Sequence, residues 1–321
     1  VRHRMKLDYI LGRLLSRPLK SSALTIKNIL RLALYQLLYM PDIPPRAVIH
    51  SAVEQAKHSK YSGLAPLVNG VLRNFQRREI SLPDPQKEPI AYLSIEYSTP
   101  VWLVERWVTQ FGMAVTKQIL EASNERAPLS VRVNLHNTTV TEATKILNQE
   151  DFTIRPGRFL SEALIVEQLA MPIEQSALFN SGGIFPQDES SMLCAHLLQP
   201  QSGETVVDLC AAPGGKSTHL AELMNDQGRV YSIDVHPHKV ELIRTNARRM
   251  QLDSIEPLLA DSTNFKLPDG KGADRILVDA PCSGTGVFRR RVDSKYRKNP
   301  ADIETLVQLQ QEPLKNAAKL V

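Results

Sequence analysis

Two short strings carry the residues best suited to chemistry: VVDLCAAPGGKST at 206–218 and ILVDAPCSGTG at 276–286. Each is an apolar run of strand type that spills into small residues. In an open α/β sheet, ligands bind in the loops at the carboxyl ends of strands. Cys210, Ala211, Ala212, Pro213, Gly214 and Gly215 present little side chain, so a cofactor can lie against backbone there. Lys216 follows at the start of a helix. The second string sets an acid, Asp279, a proline and a thiol, Cys282, at a strand end.

Three ligands compete for the first loop. A dinucleotide site wants G-x-G-x-x-G, and only Gly214 and Gly215 are available. A P-loop fits at Gly215, Lys216 and Ser217, but Cys210 stands where the glycine that turns tightly around phosphate is needed. An S-adenosylmethionine pocket needs close backbone approach without a phosphate cradle. The downstream acids favour it: Asp234 ends a strand where a carboxylate can accept from ribose hydroxyls. Asp261 is placed for an adenine amino group, and Asp279 lies beside the reacting methyl. Any one strand-end Asp serves equally well as a cap or turn residue. Three at the tips of successive strands favour a ligand. A cation at a helix start opposes the helix dipole, which inclines Lys216 to a ligand contact as well.

The thiol fits a specific chemistry. A thiolate added to carbon 6 of a pyrimidine turns carbon 5 into an enamine nucleophile towards a methyl sulfonium. The bland alternative for Cys282 is a buried small hydrophobe. Cys194, in SSMLCAHLL, reads as core, and Cys210 lines the loop without chemistry of its own. Just beyond come Arg289, Arg290, Arg291, Lys295, Arg297 and Lys298 against one acid, Asp293. Six cations at this place read as a phosphate clamp for RNA rather than a solvated loop.

The elements that must position these groups follow a readable order. Residues 1–80 form an all-helical module. In 21–40, Leu24, Leu30, Leu34 and Leu37/Leu38 make an apolar stripe with Lys27, Arg31 and Gln36 outward. PDIPP (41–45) stops that helix, and amphipathic helices follow at 46–59 and 63–78. SLPDPQKEP (81–89) reads as a proline- and charge-rich linker. Region 90–180 mixes a helix at 99–112, an alternating strand at 129–136 and a Thr-capped helix at 139–150. From 181 the rhythm is strand–helix: strands at 205–209, 229–234, 255–260 and 274–279, with helices at 217–224 and 238–250. This is a doubly wound parallel sheet. A helix at 301–321 ends the sequence with no further strand, and the first residue is Val1, so a chain clipped at both ends is expected.

Composition sets the surroundings. The net charge of +5 hides an asymmetry: residues 1–80 carry 14 Lys/Arg against 4 Asp/Glu, while the other 241 carry 25 against 30. A basic module on a mildly acidic body suggests a nucleic-acid partner. No run of about 18 uncharged apolar residues is present, so no membrane span is expected. Three scattered cysteines suit neither a disulfide scaffold nor a zinc cluster, so no metal is expected and a reducing cytoplasm is the natural compartment.

FPQDESSMLCAHLL (185–198), DLCAAPGGKST, DAPCSGTG and RKNPADI (297–303) together resemble the RNA cytosine-5 methyltransferases of the NOL1/NOP2/Sun type. LRLALYQLLYMPDIPPRAVIHSAVEQAK and LVNGVLRNFQRR resemble the helical NusB-type RNA-binding domain. The pairing is that of the bacterial branch acting on small-subunit ribosomal RNA; separately, a monomer is expected, although no residue pattern reads out the oligomeric state. The resemblance implies an α/β fold: a Rossmann-like class I methyltransferase domain (181–321, truncated after strand four), preceded by an all-α NusB-like domain and a small α+β RNA-binding connector. It implies that Cys210 to Lys216, Asp234, Asp261 and Asp279 bind S-adenosylmethionine. It also reassigns the thiol: the nucleophile is a second cysteine in a Thr-Cys string ending strand five, and Cys282 assists product release. No Thr-Cys string occurs here, so the 321 residues are expected to be inactive alone. Two alternatives stand beside this: a non-catalytic NusB-like RNA-binding protein, and a DNA cytosine-5 methyltransferase with Cys282 as nucleophile.

Overall fold

The computed structural model describes all 321 residues, which form two compact units. The first comprises Val1–Arg126 and Gly284–Pro300. Its helices are α1 (Arg4–Leu14), α2 (Leu24–Tyr39), α3 (Pro45–Lys57), α4 (Ala65–Arg77), α5 (Pro89–Glu96) and α6 (Val101–Asn124). Proline opens α3 and α5, where its fixed φ suits the first turn and its missing amide costs nothing. The core of α1–α4 closes on Leu11, Ile26, Leu30, Leu34, Val68 and Leu72, all at zero exposure or nearly so.

On α2 the buried face differs from the expected stripe. Ile26, Ile29, Leu30, Ala33 and Leu34 point inward, whereas Leu24 is 66 % exposed and Leu38 36 %. Leu24 opens the helix, and the i, i+4, i+8 line through Ile26 turns it away from the core. In α6 the backbone breaks at Gly112, whose φ of 76° no ordinary helical residue adopts. The helix read as 99–112 thus ends where expected, and a second one continues it to Asn124.

The segment 284–300 is integral to this first unit. Phe288 is buried near Trp107, with ring centroids 6.2 Å apart. The Tyr296 hydroxyl lies 3.0 Å from the Val1 carbonyl and 3.1 Å from that of Ser98.

The second unit comprises Ala127–Ser283 and Ala301–Val321. It opens with β1 (Leu129–Val133), α7 (Val140–Gln149), β2 (Thr153–Pro156), β3 (Ala163–Gln168), α8 (Ala177–Asn180) and β4 (Ile184–Pro186). The four strands make an antiparallel sheet in the order β2-β3-β1-β4. Val131, Val133, Leu164 and Val166 pack there with Ala143 and Leu147 of α7. Then come α9 (Glu189–Leu198), β5 (Thr205–Asp208), α10 (Gly215–Leu223), β6 (Arg229–Asp234), α11 (Pro237–Arg249), β7 (Ile255–Leu259), β8 (Arg275–Leu277) and α12 (Pro300–Leu320).

These four strands form a parallel sheet in the order β7-β6-β5-β8. Leu220 and Ala221 of α10 and Ile243 and Ala247 of α11 cover one face with Val206 and Val230. Ala317 and Leu320 of α12 join Val207, Tyr231 and Ile233 on the other. The chain runs outward from β5 to β6 and β7, then returns to place β8 on the other side of β5. In open α/β sheets such a reversal marks the place where a ligand crevice forms, here at the carboxyl ends of β5 and β8.

The α2 register yields a direct test. Leu30→Ala should destabilise the first unit by about 2–4 kcal/mol through lost burial and a cavity, and Leu24→Ala by under about 0.5 kcal/mol. Urea unfolding of the two variants measures this; equal losses would contradict the register.

Candidate active site

β5 delivers Asp208 to the crevice, and the loop that follows turns back on itself before α10. Ala211 N–H donates to the Ile233 carbonyl at 2.9 Å, and Gly214 N–H to that of Ala211 at 2.7 Å. Gly214 caps α10 with φ of 101°, a left-handed conformation that needs glycine. Gly215 is small for another reason: a Cβ there would lie 2.9 Å from the Phe185 ring. One glycine therefore makes the turn and the next admits close packing. Beneath them, burial pushes the Asp208 carboxyl up to about 6. Its Oδ2 accepts from Ser217 Oγ at 2.8 Å, while the buried Oδ1 has no hydrogen-bond partner.

The three acids gather at one edge of the parallel sheet. Asp234, the last residue of β6, is 9 % exposed, accepts from His236 N–H at 3.0 Å and faces Lys239 Nζ at 3.6 Å. Asp261 stands two residues beyond β7, exposed, with Oδ1 accepting from both the amide and hydroxyl of Thr263. The Thr263 amide, then its hydroxyl, hold that carboxyl below its ordinary value. Asp261 is thus built into a turn rather than a strand tip. Asp279 lies two residues beyond β8 and forms an ion pair with Lys216. That pair joins the two loops singled out in the sequence.

The cysteines differ in state. Cys282 is exposed, and the carbonyl of its neighbour Pro281 accepts from Gln310 Nε2 of α12 at 2.8 Å. Cys210 is half-buried; burial, then the Asp208 charge, pushes its thiol up to about 11, so it stays protonated at neutral pH. Cys194 is half-exposed rather than core, because its side of α9 is not fully covered.

All six cations of 289–298 belong to the first unit. Lys295 is not available as a phosphate ligand: it is 1 % exposed, and Nζ donates to the carbonyls of Arg2 and Tyr97 and to Asn124 Oδ1. Burial lowers its ammonium to about 8. Arg289 is half-committed, bonding Glu125 and the Arg126 carbonyl at 3.1 Å each. Arg290, Arg291 and Arg297 are exposed and Lys298 is partly so, with Arg297 paired to Asp293.

Two clusters escaped the sequence reading. Arg132, in the middle of β1, is wholly buried and bonds Glu222, Thr218 and the Gly215 carbonyl. Its only sequence signal is a cation inside the apolar run SVRV. Separately, Glu162 Oε1 lies 2.5 Å from His196 Nε2 and 3.5 Å from His219 Nε2. These three side chains are the ones whose donor atoms converge closely enough to hold a metal ion. They also satisfy one another as a hydrogen-bonded acid–imidazole cluster. Burial alone would raise the Glu162 carboxyl, but hydrogen bonds from His219 and His196 outweigh it and hold it well below its ordinary value. Burial, then the charge of Arg132, lowers His219 to about 4.

Known proteins match along the whole chain. Residues 1–77 match the NusB family, 99–174 the ferredoxin-like domain of RsmF/B-like methyltransferases, and 195–321 the 16S rRNA methyltransferase RsmB/F family. The chain is 40 % identical over 322 residues to the probable ribosomal RNA small subunit methyltransferase B of Bacillus subtilis strain 168, with all of it aligned to 71 % of that protein. It is 35 % identical over 318 residues to ribosomal RNA small subunit methyltransferase B of Yersinia pestis bv. Antiqua strain Angola, covering 96 % of this chain and 70 % of that one. The crystal structure of PH0851 matches with a TM-score of 0.78 and 27 % identity, over 99 % of this chain and 72 % of the other.

Burial of His219 ties the stability of the second unit to pH. The unfolded imidazole takes up a proton below about pH 6.5, which the folded one resists down to about 4. This part of the stability is full above 6.5 and is lost as pH falls towards 4. Glu162 acts in the same sense at lower pH, whereas Asp208, raised to about 6, favours the fold on the acid side. Melting of the second unit between pH 7 and 4 should therefore fall less in His219→Gln than in the parent; identical slopes would refute the assignment.

Proposed function

The chain belongs to the RsmB/F family of ribosomal RNA small-subunit methyltransferases, and from that membership we propose that it methylates carbon 5 of a cytidine in that RNA. S-adenosylmethionine is the methyl donor and supplies an electrophilic methyl on a sulfonium. The loop from Cys210 to Lys216 suits it: Ala211 to Gly215 carry small side chains or none, and an orphaned acceptor, Asp208 Oδ1, lies at its base. In this reading Asp234 accepts from the ribose hydroxyls, Asp261 meets the adenine, and Asp279 stands beside the reacting centre. The observation that carries the proposal is the Lys216–Asp279 ion pair, which sets the donor loop and the Pro-Cys loop side by side.

On the acceptor side, the target cytosine must leave its stack to enter such a site. A thiolate adds to carbon 6, and the electron pair released to carbon 5 takes the methyl. A base then removes the carbon 5 proton, and the carbon–sulfur electron pair returns to the thiolate as the bond breaks. None of Cys194, Cys210 and Cys282 follows a threonine, so none matches the expected nucleophile string. We assign Cys282 to the release step. The basic first unit, with Arg290, Arg291, Arg297 and Lys298, would hold surrounding RNA by its phosphates. No helix is long and apolar enough to cross a membrane. Three free cysteines suit the proposed reducing cytoplasm.

Two measurements test this. Asp234→Ala should weaken S-adenosylmethionine binding by about 10-fold or more, as expected for losing hydrogen bonds to a charged acceptor; unchanged affinity in calorimetry would remove Asp234 from the site. Residues 1–321 should bind the donor yet neither methylate ribosomal RNA nor form a covalent adduct with RNA containing 5-fluorocytidine. An adduct that disappears in Cys282→Ala would instead make Cys282 the nucleophile.

A further inference from the structure

Gly214 and Gly215 have no side chains with which to hold their own turn, and a Gly-Gly pair has the most backbone freedom of any dipeptide. A donor site that depends on backbone amides must nevertheless keep them in one geometry before the ligand arrives. The stiffening comes from outside the loop and from a different sheet. Arg132 reaches from β1 of the antiparallel sheet, and its Nη1 donates to the Gly215 carbonyl at 2.7 Å. Its Nη2 donates to Thr218 Oγ1 at 2.9 Å, and Thr218 Oγ1 in turn donates to the same Gly215 carbonyl at 3.2 Å.

The guanidinium cannot move far. Glu222, one turn beyond Thr218 on α10, receives its Nε and Nη2 at 3.1 and 2.7 Å. Gln187 Oε1 accepts from Nη1 as well. The side chain is 0 % exposed and Glu222 4 %. A planar fork held on both carboxylate oxygens has one orientation, and that orientation aims Nη1 at the Gly215 carbonyl.

We propose that Arg132 is a positioning residue for the methyl-donor loop: it clamps the first turn of α10 from the antiparallel sheet and presets the amides of Gly215, Lys216 and Ser217. This rests on the reading that the loop holds S-adenosylmethionine. It makes the small antiparallel sheet a structural part of the donor site. The carbonyl of Gly215 fixes the peptide plane that it shares with the Lys216 amide, so slackening one turns the other.

The test separates positioning from stability. Removing Arg132 alone strands a buried Glu222 charge and threatens the fold. Arg132→Met with Glu222→Leu replaces the pair by apolar side chains, which buried ion pairs commonly tolerate. Arg132→Lys keeps the charge near Glu222 but has no fork with which to hold Gly215 and Thr218 together. Leu147→Ala, in the antiparallel sheet's core, is the control that lowers melting temperature without touching the loop. By calorimetry with S-adenosylmethionine, the double variant and Arg132→Lys should each bind on the order of 10-fold more weakly, and Leu147→Ala as the parent does. Parental affinity in Arg132→Lys or in the folded double variant would overturn the proposal, as would a loss in Leu147→Ala proportional to its melting point. If the parent itself fails to bind, the donor-loop reading falls first.

Discussion

Taking a guanidinium wholly out of water costs several kcal/mol, and the cost is offset only by a full set of well-placed acceptors. In the second unit that set is Glu222, Gln187, Thr218 and the Gly215 carbonyl around Arg132. Much of the unit's arrangement is tied to it. It requires β1 to face α10, it requires Glu222 to be buried, and it places the amino end of α10 against Phe185 of β4, whose ring lies 5.5 Å from the guanidinium. Burial pulls the Glu222 carboxyl upward even against the cation's attraction, a sign of how dry the surroundings are. The glycine-rich loop before α10 thus begins from a turn held by a neighbouring sheet, where an isolated loop of this kind would be slack.

Around that fixed turn, charge is distributed by burial. Asp208 is enclosed and pushed towards neutrality, and burial, then the Asp208 charge, raises the neighbouring Cys210 thiol. Asp279 remains in contact with solvent and keeps Lys216 as its counter-ion. One buried carboxylate and one exposed one therefore work in different dielectrics, although Asp208 ends β5 and Asp279 follows β8 of the same sheet. The same logic removes Lys295 from the cationic cluster. Once enclosed by two carbonyls and an amide oxygen, its ammonium is an internal tie of the helical unit rather than a contact for a polyanion.

Elements whose periodicity matches their surroundings were legible in the sequence. Helices α2, α3, α4, α7 and α11 and strands β5, β6 and β7 lie within a few residues of the apolar patterns that announce them. Apolar burial acts locally on each, so pattern and outcome agree. The two small-residue loops stood out in the sequence for a similar reason, and the structure places them after β5 and β8 of one parallel sheet. Leu24 failed because a stripe gives the period of a helix but not which of two adjacent lines faces the core. Arg132 failed because strand alternation assumes one wet face, and β1 is covered on both.

The sequence by itself determined the kinds of element, their order and the residue types at the two loops, because these depend on local propensity and on short-range spacing. Only the tertiary structure decided which charges are wet and which are enclosed. Lys216 found Asp279 from 63 residues away and Arg132 found Glu222 from 90 residues away. Solvation and pairing of charges depend on what folds over them from distant parts of the chain, and no spacing along the sequence encodes that.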